Sequence, residues 1–533
     1  MVKIKKTALA IAISLAGLNS VSAQTTAESA QTVGLESWST SPVFTIGESI
    51  NGYTPPGIPD GMGAFERKDT VEIVSNHELR AAVGFPYTLD SGVSLTGARV
   101  SKLVFDKETR ELMTMGPAYD TIYNRAGKMV DFFNGLDTVS TSGLNRLCSA
   151  GSFVAGQAGF VDDVFLTGEE TGGGTEFALD VATGELWAAP WMGRAAWESV
   201  AALEIPGFNN THVAILVGDD RGDAALLLYL GEKVPGGNFL ELNGLANGNL
   251  YMWVAESGDL SPADFNGKGE MRRGRFLEVE TYNDTGAEGF DDLGFATQDN
   301  LDEQKSEIEA FNFSRPEDLH TNPKPGKGNE VVFASTGRNT SINQGTDLWG
   351  TTYLVDVKIN AGRVLTDNIT ADITIMYDGD DADKQDFGIR SPDNLVWADN
   401  GFVYIQEDRS VSGFGALSGE ETSIWKLDPK TSMATRVAQV DRSAVPDGQT
   451  DIDPNDLGDW ETSGIIDVTD EFDAEGERLL FFNVQAHSVR GGPIGDWTVP
   501  SSDPTSDDKN LVQGGQFLFM SKEEAKGKRR GSK

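Results

Sequence analysis

A strand-turn-strand pattern recurs along the chain and constrains its fold more than any other feature. Each copy has an apolar strand with alternating residues, then a turn rich in Asp, Lys, Thr or Gly, then a second strand, which is typical of a β-hairpin. The copies lie at residues 100–112, 177–188, 226–239, 353–364 and 424–437. Further apolar strands lie between them, at residues 70–77, 162–170, 212–220, 329–337 and 401–408.

This repetition predicts an all-β fold and, within that class, a β-propeller with long inserted loops. A single sheet or sandwich does not need so many copies of one hairpin, whereas each blade of a propeller covers the edges of its neighbours. The irregular spacing of the copies requires long loops between them. The 61 Gly and 20 Pro residues agree, because they favour turns and short strands over long helices. A protein made of several β-sandwiches is the alternative.

The amino terminus has the three parts of a secretory signal peptide. M-V-K-I-K-K places three lysines before an apolar run, and small residues allow cleavage after Ala23. The run is too short to anchor the chain in a bilayer. We therefore expect a Sec-type signal peptide at 1–23, a linker at 24–40, the propeller domain at 41–520 and a charged, disordered tail at 521–533. The predicted location is the periplasm or the exterior of the cell.

The net charge of −39, from 82 acidic and 43 basic side chains, limits the partners of the protein. Such a surface repels nucleic acids and anionic lipids, so we expect neither to bind. Part of the charge keeps a protein soluble in a saline medium, and part can gather to hold hard cations such as calcium. The single cysteine, Cys148, excludes an internal disulfide framework.

Several of the strands end in acidic residues. These ends are N-H-E at 76–78, G-E-E at 168–170, G-D-D at 218–220 and Q-E-D at 406–408. If equivalent strands of each blade end at one rim of the central channel, their carboxylates converge there and form a site. The alternative is that each cluster is an ordinary, solvated turn.

Most familiar catalytic motifs are missing from the sequence. The four histidines lack the H-x-x-x-H spacing of zinc hydrolases, and there is no G-x-S-x-G, P-loop or dinucleotide fingerprint. Serine hydrolase, nucleotide hydrolase and nicotinamide chemistry are therefore poorly supported. Metal-assisted chemistry with carboxylate ligands remains.

The segment S-R-P-E-D-L-H at 314–320 places a cation beside an acid. Pro316 holds the chain extended, so Arg315 and Glu317 point to the same face of a strand. Glutamate is a metal ligand, and the planar guanidinium of arginine matches phosphate oxygens. A surface ion pair is the alternative. S-P-D-N-L at 391–395 is a similar motif, which suggests that it occupies the same structural position in another blade.

Together these segments resemble the PhoX-type alkaline phosphatases. The resemblance lies in R-P-E-D-L at 315–319, S-P-D-N-L at 391–395, N-H-E at 76–78, Cys148 ahead of L-T-G-E-E at 166–170, and F-N-V-Q-A-H at 482–487. Their order along the chain matches over residues 40–495. The resemblance implies a six-bladed propeller that hydrolyses phosphate monoesters with an iron–calcium cluster, acting on a small-molecule phosphate ester.

The resemblance also implies roles for individual residues. Cys148 would ligate iron, and Arg315 would be the catalytic residue that binds the phosphoryl group. Glu198 and Glu317 would be ligands shared within the cluster. Further calcium or iron ligands would be Glu169 or Glu170, Asp219 or Asp220, and Glu407. Asn394, in the S-P-D-N-L motif, is a candidate substrate-binding residue.

The chain departs from the family pattern at several places. N-R-L-C-S-A-G stands where the family has N-C-A-G-G, Gly168 replaces a cysteine, Trp197 replaces a histidine, and the amino terminus lacks an Arg-Arg pair. The missing pair implies export in the unfolded state, with metals acquired outside. The departures leave two alternatives, a phosphodiesterase or phosphotriesterase on the same site, and a non-catalytic calcium-binding propeller. We expect a monomer.

Overall fold

A computed structural model describes residues 26–359, 369–381, 383–495 and 510–524. The predicted signal peptide at 1–23 and most of the predicted tail lie outside the described residues. Within the described ranges, no helix is long and apolar enough to cross a membrane. The regular structure is mostly strand, which confirms the all-β prediction.

The elements are short and follow one another closely. The strands of the first half of the chain are β1 (Thr32–Gly34), β2 (Ser39–Thr45), β3 (Pro59–Glu66), β4 (Thr70–His77), β5 (Tyr87–Thr88), β6 (Ser94–Gly97), β7 (Arg99–Asp106), β8 (Leu112–Pro117), β9 (Thr121–Tyr123), β10 (Gly143–Leu144), β11 (Leu147–Phe153), β12 (Val164–Gly174), β13 (Glu176–Asp180), β14 (Glu185–Ala188), β15 (Ala195–Ala202), β16 (His212–Asp219), β17 (Leu227–Glu232) and β18 (Gly248–Ala255). The second half adds β19 (Met271–Val279), β20 (Pro316–Thr321), β21 (Glu330–Ser335), β22 (Thr351–Lys358), β23 (Thr370–Asp378), β24 (Pro392–Trp397), β25 (Val403–Glu407), β26 (Ser423–Asp428), β27 (Met433–Val440), β28 (Thr450–Asp451), β29 (Trp460–Asp467), β30 (Glu477–Ala486), β31 (Val489–Arg490) and β32 (Gly514–Glu523). The helices are α1 (Phe239–Leu242), α2 (Gln298–Glu307) and three short 3₁₀ helices at Pro190–Met192, Gln385–Phe387 and Gly492–Ile494.

Most strands fall into six four-stranded antiparallel units. In chain order the units are β3-β4-β7-β8, β11-β12-β13-β14, β15-β16-β17-β18, β20-β21-β22-β23, β24-β25-β26-β27 and β29-β30-β32-β2. The sixth unit differs from the others because its outer strand, β2, comes from the amino-terminal side of the chain and pairs with β32. This pairing joins the two sides of the chain in one sheet.

An apolar layer lies between each pair of neighbouring units. In β21, for example, Val331 and Phe333 pack toward the third unit, and Val332 and Ala334 pack toward the fifth. Successive side chains of a strand point to opposite faces, so a strand buried on both faces has apolar residues at every position. Six such layers close the units into a ring, because the last layer lies between the sixth unit and the first.

The first strands of the six units surround the centre of this ring. β3 contacts β11, β11 contacts β15, and the order continues through β20, β24 and β29 back to β3. Residues at the same position of each first strand therefore lie around one axis.

Both ends of the described chain are part of the ring. The predicted linker at 24–40 contains β1, which pairs with β27, and the start of β2. The predicted domain boundary at 520 falls inside β32, whose last residue is Glu523.

Candidate metal centre and active site

Each first strand carries one acidic residue or cysteine at the equivalent position. These residues are Asp60, Cys148, Glu198, Glu317, Asp393 and Glu461. In the first five units, the pairing of this strand with its neighbour is shifted by a β-bulge at that point. A bulge takes a residue out of the regular ladder and redirects its side chain. The repeated bulge therefore accounts for the convergence of these side chains.

Donor atoms at the centre of the ring form three overlapping groups. Asp60, Glu78 and Cys148 form the first, Cys148, Glu170 and Glu198 the second, and Glu198, Asp220 and Glu317 the third. Within each group the ligand atoms lie within 4.8 Å of one another. Cys148 and Glu198 each belong to two groups, so the groups form one continuous chain. We call these seven residues the central cluster.

The central cluster concentrates carboxyl groups in a buried place. Burial raises the pKa of Asp60 to about 7, and the charge of Glu78 adds to this shift. Burial and neighbouring carboxylates also raise the pKa values of Glu198 and Glu317 well above their usual range. These carboxyl groups cannot all be charged there without compensating protons or cations.

Glu198 has a buried carboxylate oxygen without a hydrogen-bond partner in the described part of the chain. Its side chain is 1% exposed, and its Oε2 atom has no hydrogen-bond partner among the described residues. Such atoms are rare in folded proteins and need an explanation. A cation held with Cys148 and Glu170 would supply the missing partner.

The Cys148 thiol is surrounded by acids. It donates a hydrogen bond to Asp60 Oδ2 at 3.0 Å. Burial, followed by the charges of nearby carboxylates, raises the pKa of Cys148 well above its usual value. Reactive cysteines have the opposite surroundings, in which cations or helix N-termini lower the pKa. These surroundings favour the thiol form of Cys148, and a bound cation would favour the thiolate.

Arg315 lies at the edge of the central cluster and is held by two of its acids. It donates from Nε to Asp220 Oδ1 at 2.5 Å and from Nη2 to Asp220 Oδ2 at 2.8 Å. Its Nη2 atom also lies 2.8 Å from Glu317 Oε1. The guanidinium plane is therefore fixed before any ligand arrives.

A cavity of about 510 Å³ opens over the central cluster. Its wall includes Arg146, Arg221, Arg315 and Arg338, together with Glu170, Asp220 and Asp408. An acidic floor of candidate metal ligands beneath a wall of arginines suits an anion that also binds cations. Phosphate is an anion of this kind.

The structure brings together most of the residues chosen from the sequence. Cys148, Glu170, Glu198, Asp220 and Glu317 lie in the central cluster, and Arg315 lies beside them. Of the two adjacent pairs that the sequence left open, the second residue of each is the one in the cluster.

Glu169, Asp219 and Glu407 lie outside the central cluster. Glu169 accepts hydrogen bonds from backbone N–H groups. Asp219 forms an ion pair with Arg221 at 2.7 Å, and Glu407 forms one with Arg390 at 2.7 Å. Neighbouring side chains alternate between the two faces of a strand. The residues that follow these three, Glu170, Asp220 and Asp408, therefore line the cavity over the central cluster instead.

Asn394 lies apart from the arginine-lined cavity. Its Oδ1 atom accepts hydrogen bonds from Ser463 Oγ at 2.8 Å and from the Gly464 N–H group at 3.0 Å. It lines a separate cavity of about 210 Å³. The structure therefore does not bring Asn394 together with Arg315.

Several central residues were missed or not singled out at the sequence level. They are Asp60, Glu78, Arg146, Asp393, Asp408 and Glu461. Three of them follow the same residue type as a site residue that the sequence did identify. Pro precedes Asp60 and Asp393 as it precedes Glu317, and Trp precedes Glu461 as it precedes Glu198. Glu78 and Asp408 end the acidic strands noted above. No sequence signal marks Arg146.

Glu407→Gln is expected to lower the free energy of unfolding by about 3–5 kcal/mol, because it leaves the buried Arg390 guanidinium without its main counter-charge. The metal content is expected to stay at the wild-type level, since Glu407 lies outside the central cluster. Chemical denaturation and elemental analysis measure the two effects. The control is Asp408→Asn, which leaves Arg390 paired and is expected to change stability by less than about 1 kcal/mol. Metal loss without destabilisation in Glu407→Gln would contradict this assignment.

The chain matches the family model of the alkaline phosphatase PhoX over residues 183–445. None of the curated proteins compared with it matches significantly. Among solved structures, Pseudomonas fluorescens PhoX in complex with vanadate, a transition state analogue, has a TM-score of 0.60 and 15% identity, and the match covers 94% of this chain and 97% of that chain. A Synechocystis apocarotenoid oxygenase mutant has a TM-score of 0.32 and 12% identity, with 89% of this chain and 94% of that chain covered. A putative dipeptidyl aminopeptidase IV from Bacteroides ovatus has a TM-score of 0.22 and 12% identity, with 84% and 47% covered. These last two scores are too low to indicate a common fold.

The all-β fold carries an acidic, thiol-containing centre whose side chains could hold metal ions. The segment matched by the family model includes Glu198, Asp220, Arg315 and Glu317. The match to the PhoX family model agrees with the family that the motifs predicted and supports a phosphoric ester hydrolase.

Proposed function

We propose that the protein is a metal-dependent phosphomonoesterase that binds iron and calcium in its central cluster. The observation that carries the proposal is the cluster itself, in which seven ligand side chains form three overlapping groups beneath an arginine-lined cavity. The Oε2 atom of the buried Glu198 has no hydrogen-bond partner among the described residues. A bound cation gives it a partner.

The proposal includes a six-bladed β-propeller. Six four-stranded units, the apolar layers between them and the closed circle of first strands support this assignment. The likeness to the PhoX structure supports it as well. In a propeller, corresponding strands of all blades deliver their side chains to one central channel, as a shared metal cluster requires.

The donor types suit two kinds of metal. Cys148 offers a sulfur ligand next to Glu170 and Glu198, and this mixed set fits the iron that the family resemblance implies. Glu198, Asp220 and Glu317 offer only oxygen atoms, which calcium prefers. The bound cations would offset the charge of a phosphate dianion and polarise its phosphoryl oxygens.

Arg315 is the residue expected to bind and orient the phosphoryl group. Asp220 and Glu317 fix its guanidinium, so it needs no reorganisation when substrate enters. Its planar fork can donate two parallel hydrogen bonds to phosphoryl oxygens, and these strengthen as charge develops in the transition state. The PhoX relative bound to vanadate, a transition state analogue, supports phosphoryl transfer as the reaction.

We further propose a periplasmic or secreted monomer that acts on small-molecule phosphate esters. The lysine-rich, apolar amino terminus supports export. The net charge of −39 disfavours nucleic acids and anionic lipids as partners.

A phosphodiesterase or phosphotriesterase on the same site is the second candidate. The volume of about 510 Å³ is within the range of cavities that bind drug-sized ligands, so it admits an ester with more than one organic group. A non-catalytic calcium-binding propeller is disfavoured, because calcium alone requires neither Cys148 nor the fixed guanidinium of Arg315.

Turnover of p-nitrophenyl phosphate by the purified, metal-loaded protein tests the proposed function. We expect hydrolysis that a chelator abolishes and that iron and calcium together restore. Bis(p-nitrophenyl) phosphate is the matched diester. Faster hydrolysis of the diester would favour the second candidate, and no turnover of either ester by a fully metal-loaded protein would contradict the proposal.

Cys148→Ser is expected to lose bound iron and to lower phosphatase activity by at least about 100-fold, because a serine hydroxyl is a poor replacement for a thiolate ligand. Elemental analysis measures the metal, and circular dichroism checks that the fold persists. Calcium held by Glu198, Asp220 and Glu317 is the internal control and is expected to be retained. Full activity in this variant would mean that Cys148 is only a small buried apolar residue.

A further inference from the structure

Arg146 enters the arginine-lined cavity from an unusual position in the chain. It is one of the two residues between Asn145 and Cys148, where the family pattern has none. Its φ angle of 51° lies in the left-handed region, which is uncommon for residues other than glycine. Its backbone N–H group donates to the Leu79 carbonyl at 2.8 Å, and its own carbonyl accepts from the Glu170 N–H group at 2.8 Å. The backbone therefore fixes the conformation from which the side chain enters the cavity.

The Arg146 side chain is held on two sides and open on the third. Its Nε atom donates to Glu78 Oε1 at 2.7 Å, and its Nη2 atom pairs with Glu170. Its Nη1 atom makes no hydrogen bond with any described residue. The side chain is 36% exposed and lines the same cavity as Arg315. Arg315 has a similar arrangement, because two carboxylates fix it and its Nη1 atom lies 3.9 Å from Asp408 Oδ2.

The other two arginines of the cavity differ from this pair. Arg221 is occupied by Asp219 and by Asp302, with hydrogen bonds of 2.7–3.2 Å. Arg338 is exposed and lies outside the central cluster. Only Arg146 and Arg315 among the described lining residues combine a fixed guanidinium with a free donor edge next to the cluster.

We propose that Arg146 is a second phosphoryl-binding residue and that, together with Arg315, it gives the site its preference for phosphate monoesters. This inference rests on the proposed function. A monoester dianion has three non-bridging oxygens and can receive hydrogen bonds from both guanidinium groups while it contacts cations. A diester has two such oxygens and one charge. Its second organic group would lie against the open edge of one guanidinium and remove those N–H groups from water without supplying a hydrogen-bond acceptor.

Equilibrium binding and kinetics of Arg146→Gln test the proposal. The measurements are the Kd of inorganic phosphate, the KM and kcat for p-nitrophenyl phosphate and its diester, and the metal content. Arg146→Lys keeps the charge but loses the planar fork, and it serves as the second variant if the glutamine variant folds poorly. Arg273→Gln removes one exposed positive charge from β19, far along the chain from the cluster, and controls for net charge.

Arg146→Gln is expected to raise the phosphate Kd and the monoester KM roughly 10- to 100-fold, as for the loss of a charged hydrogen bond. Diester kcat/KM is expected to fall by less than about 3-fold, so the monoester preference shrinks. Arg146→Lys is expected to be intermediate, and metal content to stay at the wild-type level.

Two results would overturn the inference while leaving the proposed function intact. One is an unchanged phosphate Kd in Arg146→Gln. The other is a pair of results: Arg146→Gln loses metal, and Arg146→Lys has both the metal content and the phosphate Kd of the wild type. In that case the only role of Arg146 would be to balance the charges of Glu78 and Glu170. Wild-type protein that binds no phosphate and hydrolyses neither ester would overturn the proposed function and this inference with it.

Discussion

Removal of the metal ions is expected to make the folded protein less stable as the pH rises from about 5 to 8. Burial, followed by the charge of Glu78, raises the pKa of Asp60 from 3.8 to about 7. Folded metal-free protein therefore keeps a proton that the unfolded chain has lost at pH 5. Such a group stabilises the fold fully below the pKa of the unfolded chain, and this stability is lost as the pH rises through the folded value. Between about pH 5 and its folded pKa of about 7, Asp60 alone accounts for a loss of ~3 kcal/mol, at ~1.4 kcal/mol per pH unit.

Other members of the site add to the same trend. The pKa values of Glu198, Glu317 and Glu461 are raised by burial first and by neighbouring carboxylates second. Since folded proteins are stable by only ~5–15 kcal/mol, the metal-free protein is expected to be close to unfolding at the alkaline end of this range. Thermal unfolding of chelator-treated protein across about pH 5 to 8 measures the effect.

The metal-loaded protein is the control for this experiment. Bound cations replace the protons, so its melting temperature is expected to change little over the same range. A metal-free protein whose stability is constant, or rises with pH, would contradict the buried carboxylate cluster.

Arg315→Ala is expected to lower kcat/KM for a phosphate monoester by about 1000-fold, within the range measured for arginines that stabilise phosphoryl transfer. The loss includes kcat, because the hydrogen bonds from the fixed guanidinium strengthen in the transition state. Arg315→Lys is expected to recover only part of it, since an ammonium group lacks the planar fork. Steady-state kinetics with p-nitrophenyl phosphate measure both variants.

Arg221→Gln is the matched comparison, because Arg221 lines the same cavity but its donors are occupied by Asp219 and Asp302. We expect it to lower kcat/KM by less than about 10-fold. If Arg315→Ala kept more than about a tenth of the wild-type kcat/KM, Arg315 would not be the phosphoryl-binding residue.

The sequence located the acidic strand ends but could not decide which acid of each pair faces the centre. That choice depends on register, and a one-residue shift moves every side chain of a strand to its other face. The structure places Glu170 and Asp220 in the central cluster, while Glu407 lies on the opposite face of β25 from the centre, paired with Arg390. The repeated bulges that set this register involve contacts between strands, which a single sequence does not display.

Two departures from the family pattern, Gly168 and Trp197, lie in contact in the structure. Trp197 lies in the apolar layer between the second and third units, and its Nε1–H group donates to the Gly174 carbonyl at 3.0 Å. A Cβ atom at Gly168 would overlap the Trp197 side chain. The overlapping atoms are Trp197 Cβ and Cγ and Glu176 Oε2, so the backbone at this point leaves no room for a cysteine at position 168. Neither Gly168 nor Trp197 belongs to the central cluster, so these departures leave its ligands in place.

The fold class was predictable, but the strand pairs that join the two sides of the chain were not. The recurring hairpins are local, and their alternating apolar residues indicate strands directly. Pairing between β2 and β32 joins segments from the two sides of the chain, and β1 joins β27 across a similar separation. Such long-range pairing produces no local pattern in the sequence, so the sequence alone predicts a linker for the segment that contains β1.

The central claim is that the buried carboxylates and thiol exist to hold metal ions. Anomalous X-ray diffraction from crystals of the metal-loaded protein, measured at the iron absorption edge, tests it most directly. The expected result is an iron peak within bonding distance of Cys148 Sγ and of carboxylate oxygens from Glu170 and Glu198. A metal-loaded crystal with no anomalous peak in the central cluster, and with the Cys148 thiol still hydrogen-bonded to Asp60, would contradict the claim.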